Sequence, residues 1–312
     1  MVVTHGKPSG PVASGCALTI GNFDGVHRGH RALLEGVIRQ ARESRLASCV
    51  LTFEPHPREF FAAQGGQPAP ARITRLRDKL ELMAAAGLDR VHVARFDARF
   101  AALSPADFVE QVLVRGLGAR WLAVGRDFRF GKARAGDAAV LEAAATRRGF
   151  GLEFVGDVLV EGERVSSSAV RDALKAGELQ RAEHLLGHAY TISGRVAHGR
   201  KLGRDLGFPT ANIPLRRPPP LSGIHVVEVQ GLAGGKKAGV ASVGTRPTVN
   251  PVPQPLLEVH LLDWSGGLYG RHLRVRFLEK LRDEEKYADL EQLKEAISGD
   301  ARRARDYFEK HG

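Results

Sequence analysis

Cysteine is nearly absent: Cys16 and Cys49 are the only two in 312 residues. That excludes a disulfide framework and points to a reducing, cytoplasmic setting. No apolar run reaches the roughly 18–20 residues needed to cross a bilayer, so no membrane role is expected. Met1–Gly15 contains Gly, Pro and Ser but lacks the apolar core of a signal peptide. Aromatic residues are sparse, and none interleave with the basic ones as a base-stacking platform requires. The net charge of +11 is therefore not read as nucleic-acid binding. Arg39, Arg42, Arg302 and Arg305 are instead scattered through helical stretches. Internal repeats and long low-complexity tracts are also missing. The length is enough for two ordinary domains.

The first half alternates strand and helix patterns. Strands are expected at Ala17–Ile20, Ser48–Phe53, Arg90–Ala94, Trp121–Val124 and Leu152–Val155. Helices are expected at Arg31–Ile38, Thr74–Ala86, Pro105–Arg115 and Ala138–Arg148. This alternation predicts an α/β domain with a Rossmann-like parallel sheet. Two short helices follow, Ser168–Leu174 and Gln180–Leu186. The period then changes to short strand-like runs, from Tyr190–Val196 to Leu273–Phe277, separated by Gly and Pro. That predicts a small antiparallel β-barrel, closed by a helix within Tyr287–Lys310. The division is placed at 1–186 and 187–312.

The densest chemistry lies at Gly21–His30, reading GNFDGVHRGH. A strand ends, turn formers follow, and His27 and His30 open a helix. A helix N-terminus offers N–H groups and a positive dipole end to a phosphate. Two imidazoles there can donate to triphosphate oxygens. A metal site is not favoured, since no third ligand stands at metal-site spacing. Three more polar segments follow strands or open a helix: FEPHP at Phe53–Pro57, VGRDFRFG at Val124–Gly131 and RVSSSAVR at Arg164–Arg171. The prolines make the first a stiff loop. Ser167 and Ser168 can cap the helix of the last.

These segments, in this order, resemble the adenylyltransferase module of bacterial bifunctional riboflavin kinase/FMN adenylyltransferases, the prokaryotic FAD synthetases. The resemblance implies an H-x-G-H type nucleotidyltransferase domain in which His27 and His30 contact the ATP phosphates and act catalytically. Gly21, Asn22, Phe23, Asp24 and Gly25 would line the phosphate pocket. Asp127, Arg164, Ser167, Ser168 and Arg171 would bind nucleotide or phosphate. The family usually has Thr at the place of Ser168; serine keeps the hydroxyl, with less rigid positioning expected. Phe61, Phe108 and Phe130 are candidates to stack on the isoalloxazine, or core aromatics.

The second half contains GRVAHGRKLGRDLGFPTANI at Gly194–Ile213. It is not a P-loop. Thr210 and Asn212 lie two apart, so an extended backbone points both side chains one way. Their oxygens are hard donors suited to Mg²⁺. The segment resembles the riboflavin kinase signature, which implies that Thr210 and Asn212 hold Mg·ATP. Gly199, Lys201, Gly203, Gly207, Phe208 and Pro209 would surround the nucleotide. Glu258 matches the family's catalytic base, and Arg282 a flavin ligand. The resemblance thus implies ATP, riboflavin and FMN as small-molecule substrates. Gly223–His225 departs from the family's G-V-Y, which leaves altered strand packing or a weaker kinase half open. Two further readings also stay open: a single active module, or a non-catalytic flavin- or RNA-binding protein.

Overall fold

The computed structural model describes residues 1–8, 15–198, 208–246 and 254–311. The chain divides into two compact units: Met1–Pro70 with Lys79–Val165, and Ala71–Asp78 with Ser166–Gly312.

The first unit is a six-stranded sheet, every pair parallel. Its strands are β1 (Val2–His5), β2 (Cys16–Ile20), β3 (Ala47–Glu54), β4 (Arg90–Arg95), β5 (Ala119–Gly125) and β6 (Gly151–Val155). Their order is β1-β4-β3-β2-β5-β6. The central strand β2 is buried at every residue, as expected for a parallel strand covered on both faces. Its neighbours β3 and β5 lie on opposite sides, so the chain reverses direction at β2/β5. Open α/β sheets bind ligands beyond the carboxyl ends of the strands at such a point. The edge strand β1, where no strand is expected above, carries the β-branched run Val2-Val3-Thr4.

Helix α1 (Arg28–Ser44) follows β2 and buries Leu33, Leu34, Val37 and Ile38. That spacing is the expected apolar stripe. After β3 the prolines do not form only a loop. A short helix, α2 (Pro57–Ala62), starts at Pro57, where a missing N–H costs nothing. His56 caps it: Nδ1 accepts from Arg58 N at 3.1 Å, and His56 N donates to Glu59 at 3.3 Å. Helix α3 (Leu76–Ala85) precedes β4, and a short turn, α4 (Ala98–Ala101), follows it.

The expected helix at Pro105 begins as α5 (Pro105–Asp107), capped by Ser104 at 3.0 Å, and then widens. Phe108–Val114 is a π-helix, with Arg115 N bonded to Glu110 O at 3.0 Å. Helix α6 (Ala138–Arg148) leads to β6, and a small hairpin, β7 (Leu159–Val160) and β8 (Glu163–Arg164), ends the unit.

The second unit begins with α7 (Ser167–Ala176) and α8 (Leu179–Leu186). Ser166, rather than Ser167 or Ser168, caps α7: its hydroxyl accepts from Ala169 N at 3.1 Å. Extended backbone one residue earlier than expected moves the cap. Six antiparallel strands follow: β9 (Thr191–Arg195), β10 (Thr210–Pro214), β11 (Gly223–Gln230), β12 (Lys237–Arg246), β13 (Gln254–Leu261) and β14 (His272–Arg282). Their order is β10-β13-β12-β11-β14-β9. Ala197 N donates to Asn212 O at 2.8 Å, which nearly closes the barrel. Ala211, Ile213, Val259, Ala241, Val227 and Val275 point inward and are buried. The alternate residues point outward. Helix α9 (Leu290–His311) covers part of that outer face, with Ala301 and Ala304 packed against Val226.

Candidate active sites

The loop after β2 is strained. Phe23 and Val26 have φ of +50° and +43°, and Gly25 has +93°. A β-branched residue with positive φ is rare and costs energy, so the fold holds this loop against its own preference. Phe23, Asp24 and His27 are nearly inaccessible.

His27 caps α1, its Nδ1 accepting from His30 N at 3.2 Å. An accepting Nδ1 places the proton of the neutral ring on Nε2, which makes Nε2 a donor. The two imidazoles stack with centroids 3.6 Å apart and 15° between planes. Phe23 tilts against His30 at 5.0 Å. Burial pushes the pKa of His30 well below the ordinary histidine value, and the nearby His27 and Lys79 push it further. No acidic residue occupies the first turn of α1. The H-x-G-H spacing has a steric reason too. A Cβ on Gly29 would stand 3.3 Å from His27 Cε1 and Nδ1, crowding the stacked ring.

Three of the four polar segments meet in one cleft of ≈ 750 Å³, lined by Gly21, Asn22, Pro57, Asp127 and a group of phenylalanines. Eight of the 14 phenylalanines in the chain form a continuous aromatic cluster here, with neighbouring centroids 5.3 to 6.0 Å apart. Phe61 stands half exposed at the rim, whereas Phe108 and Phe130 form buried wall. Phe53, Phe96, Phe100 and Phe128, not singled out from the sequence, line it with them. Phe130 lies across Gly136, where any Cβ would meet the ring at 2.6 to 2.7 Å.

Arg164 reaches Asp127 at 3.6 Å and Asp157 at 2.8 Å, which ties the hairpin to the cleft rim. Ser167, Ser168 and Arg171 lie on α7 in the second unit. There the Arg171 guanidinium donates to Ala71 O at 2.7 Å and Ser167 O at 3.1 Å.

The barrel site follows from register. Asn212 pairs with Glu258, Glu258 with Ser242, Ser242 with Ile224, and Ile224 with Arg282. Directly paired residues share a face, so this row crosses five strands on the outside of the barrel. Thr210 and His260 form the next pair on the same face. Thr210, Glu258, Ser242 and Arg282 line one cleft of ≈ 740 Å³, together with Phe208 and residues of α9. Asn212 donates through Nδ2 to Thr210 O at 3.4 Å, so its amide oxygen is the atom with ligand chemistry. Gly199, Lys201, Gly203 and Gly207 lie outside the described residues.

Arg282 is gripped by Asp300 of α9 through two bonds, 3.1 Å from Nε and 2.7 Å from Nη2. Such a fork fixes the guanidinium plane. Tyr287 lies 5.8 Å from it, ring to cation. Asp300 is buried, and its charge raises the Arg282 pKa against the opposing effect of burial. Sequence reasoning missed Asp300 and Lys79. Both are charged residues on otherwise apolar helix stripes, beside Ala301 and Ala304 in one case and Met83 in the other.

The departure at His225 lies in the barrel interior. The ring is fully buried inside the barrel, edge-on to Phe277 at 5.4 Å, with Nε2 3.0 Å from Ser222 O. Burial pushes its pKa down to about 4.

The profile of the family described as FAD synthetase matches residues 10–169, and that described as riboflavin kinase matches residues 186–308. The bifunctional riboflavin kinase/FMN adenylyltransferase of Escherichia coli K12 is 51% identical over 94% of this chain and 93% of its own. The chain belongs to this family. The Haemophilus influenzae member is 47% identical over 95% of this chain and 96% of its own. The Pseudomonas fluorescens member is 48% identical, covering 95% and 94%. A solved structure described as a macrolide-efflux protein from Streptococcus pneumoniae superposes with a TM-score of 0.81 at 26% identity. It covers 98% of this chain and 99% of that one. Among the described residues no helix is long and apolar enough to cross a membrane.

Proposed function

We propose that this family member phosphorylates riboflavin with ATP to give FMN, and then transfers AMP from ATP to FMN to give FAD and pyrophosphate. The kinase is assigned to 187–312 and the adenylyltransferase to 1–186. The observation that carries the reading is a pair of clefts, one lined by Gly21, Asn22 and Asp127 with Phe61, Phe108 and Phe130, the other by Phe208, Thr210, Glu258 and Arg282.

In the first reaction Glu258 accepts the 5′-hydroxyl proton of riboflavin as that oxygen attacks the γ-phosphorus, the bond to the β,γ-bridging oxygen breaks and ADP leaves. Arg282, fixed by Asp300, and Tyr287 give the flavin a flat cationic and aromatic contact. Thr210 and the amide oxygen of Asn212 lie on the face that carries Glu258, and hard oxygens fit Mg²⁺ carried in by ATP. Among the described residues no cluster of three or more His, Cys, Asp or Glu could hold a metal by itself. The ion, when bound, supplies charge neutralisation on the triphosphate.

In the second reaction a phosphate oxygen of FMN attacks the α-phosphorus, the bond to the β-phosphate oxygen breaks, and pyrophosphate leaves. The task is holding two anions together and spreading negative charge. His27 Nε2–H, a neutral His30 and the N–H groups opening α1 fit it. The phenylalanine cleft, with Phe61 at its rim, suits an isoalloxazine ring. Asp127 and Arg164 stand at its polar edge. Ser167, Ser168 and Arg171 are assigned to ATP by resemblance alone. Two free buried cysteines fit residence in a reducing cytosol.

The test is product analysis of the pure protein with riboflavin, Mg²⁺ and ATP. FMN and FAD together support the reading. FMN alone, with no FAD from added FMN, leaves only the kinase. FAD from added FMN alone leaves only the transferase, and no product overturns both.

A further inference from the structure

Lys79 belongs to no motif, yet the residue is only 4% exposed, one helical turn from the fully buried Met83. An ammonium held out of water is expensive unless its partners compensate. Lys79 Nζ donates to the carbonyl of Asn22 at 2.6 Å and lies 3.5 Å from Thr52 Oγ1. The Thr52 hydroxyl donates to the same carbonyl at 3.3 Å. One residue earlier, Gly21 N donates to Leu51 O at 3.1 Å. The backbone is thus held at residues 21 and 22, immediately before Phe23 turns left-handed with φ +50°. Asn22 also lines the aromatic cleft, and its Oδ1 is buried with no hydrogen-bond partner among the described residues. Phe23 leads on to His30 through their ring contact.

We propose that Lys79 is a positioning residue for adenylyl transfer, pinning the Asn22 carbonyl so that the strained loop Gly21–Gly25 and His30 keep their working geometry. This rests on reading Gly21–His30 as the adenylyl-transfer site. Strain of this kind relaxes unless the surroundings hold it, and a charge-assisted bond to the carbonyl is a strong restraint. A structural residue of the same stripe needs only apolar bulk. The ammonium adds what bulk cannot, a charge-assisted bond to the Asn22 carbonyl. Its charge also opposes a proton on His30, which keeps that ring neutral beside His27.

The test is Lys79→Met in the full-length protein. Met fills the stripe, so melting temperature and riboflavin phosphorylation should stay as in the wild type. The kcat for FAD formation should fall tenfold or more, with KM for FMN changed less than twofold. Lys79→Arg, which keeps a cationic donor, should recover part of kcat. A Met variant with kcat within twofold of wild type overturns the proposal. If the Met variant melts early, both variants are assayed below that transition. There an Arg variant as slow as Met also overturns it. His30→Gln separates the two layers. FAD formation surviving His30→Gln refutes the site reading itself. Loss with His30→Gln but not with Lys79→Met refutes only the role of Lys79.

Discussion

The two clefts are built by opposite methods. The one in the parallel unit is made of loops beyond strand ends, and its geometry depends on strained backbone, stacked rings and buried props such as Lys79. The one in the barrel is made of side chains on regular strands, and pairing alone brings Asn212, Glu258, Ser242 and Arg282 into line. The first should therefore be sensitive to small steric changes in residues that touch no substrate. The second should be sensitive chiefly to the chemistry of its own side chains.

The sharpest break of this comparison is Glu258→Ala. Loss of a general base should lower riboflavin phosphorylation by about 100-fold or more. FAD formation from supplied FMN should be unchanged, and near-normal FMN production would remove Glu258 as the base. The counterpart is His30→Ala. Removing a group that meets developing charge should lower FAD formation by about 100-fold, with FMN production intact. Equal loss of both activities would contradict separate sites.

Gly29→Ala sharpens the contrast more finely. Ala favours the helix by up to about 1 kcal/mol, but its Cβ would crowd the His27 ring at 3.3 Å. FAD formation should fall by about tenfold while the melting temperature holds or rises. Unaltered kcat would show that the stacking is not needed.

The last prediction concerns stability in the barrel, not turnover. His225 is held neutral, with Lys280 lowering and Asp283 raising its pKa beside the dominant effect of burial. The unfolded chain takes the proton near pH 6.5, the folded barrel only near pH 4. Stability from this residue is thus complete above pH 6.5 and declines as pH falls towards 4. The penalty levels off at about 3 kcal/mol. Urea unfolding at pH 7 and 4.5 measures it. His225→Tyr should lessen the dependence by about that amount beside the share of His30 and His92, and an undiminished slope would remove His225 as a source.

Much of both candidate sites was legible because the signal was local. His27 and His30 sit in one contiguous string, and Thr210 and Asn212 share a face by simple alternation. The two-domain layout was legible as a change of period. Other features needed three dimensions. Nothing in the sequence near Ser242 announces Glu258 as its neighbour, since register is set by pairing over long separations. The π-helix at Phe108–Val114 has the same apolar spacing as an α-helix to a reader of one sequence. The shift of the α7 cap to Ser166 reflects backbone conformation among three adjacent serines. Lys79 and Asp300 did leave a trace, as charges on apolar stripes. Such misfits mark places where a helix serves a neighbouring carbonyl or guanidinium as well as the core.

The row of paired residues on the barrel has a kinetic corollary. In a strand, odd and even positions exchange faces when the pairing slips by one residue. A slipped β13 would carry Glu258 into the apolar interior and bring Val259 and Leu257 out to solvent. No compact, misregistered isomer can therefore masquerade as the folded barrel. During refolding, the return of riboflavin phosphorylation should coincide with the return of native burial, making turnover itself a clock for correct strand pairing.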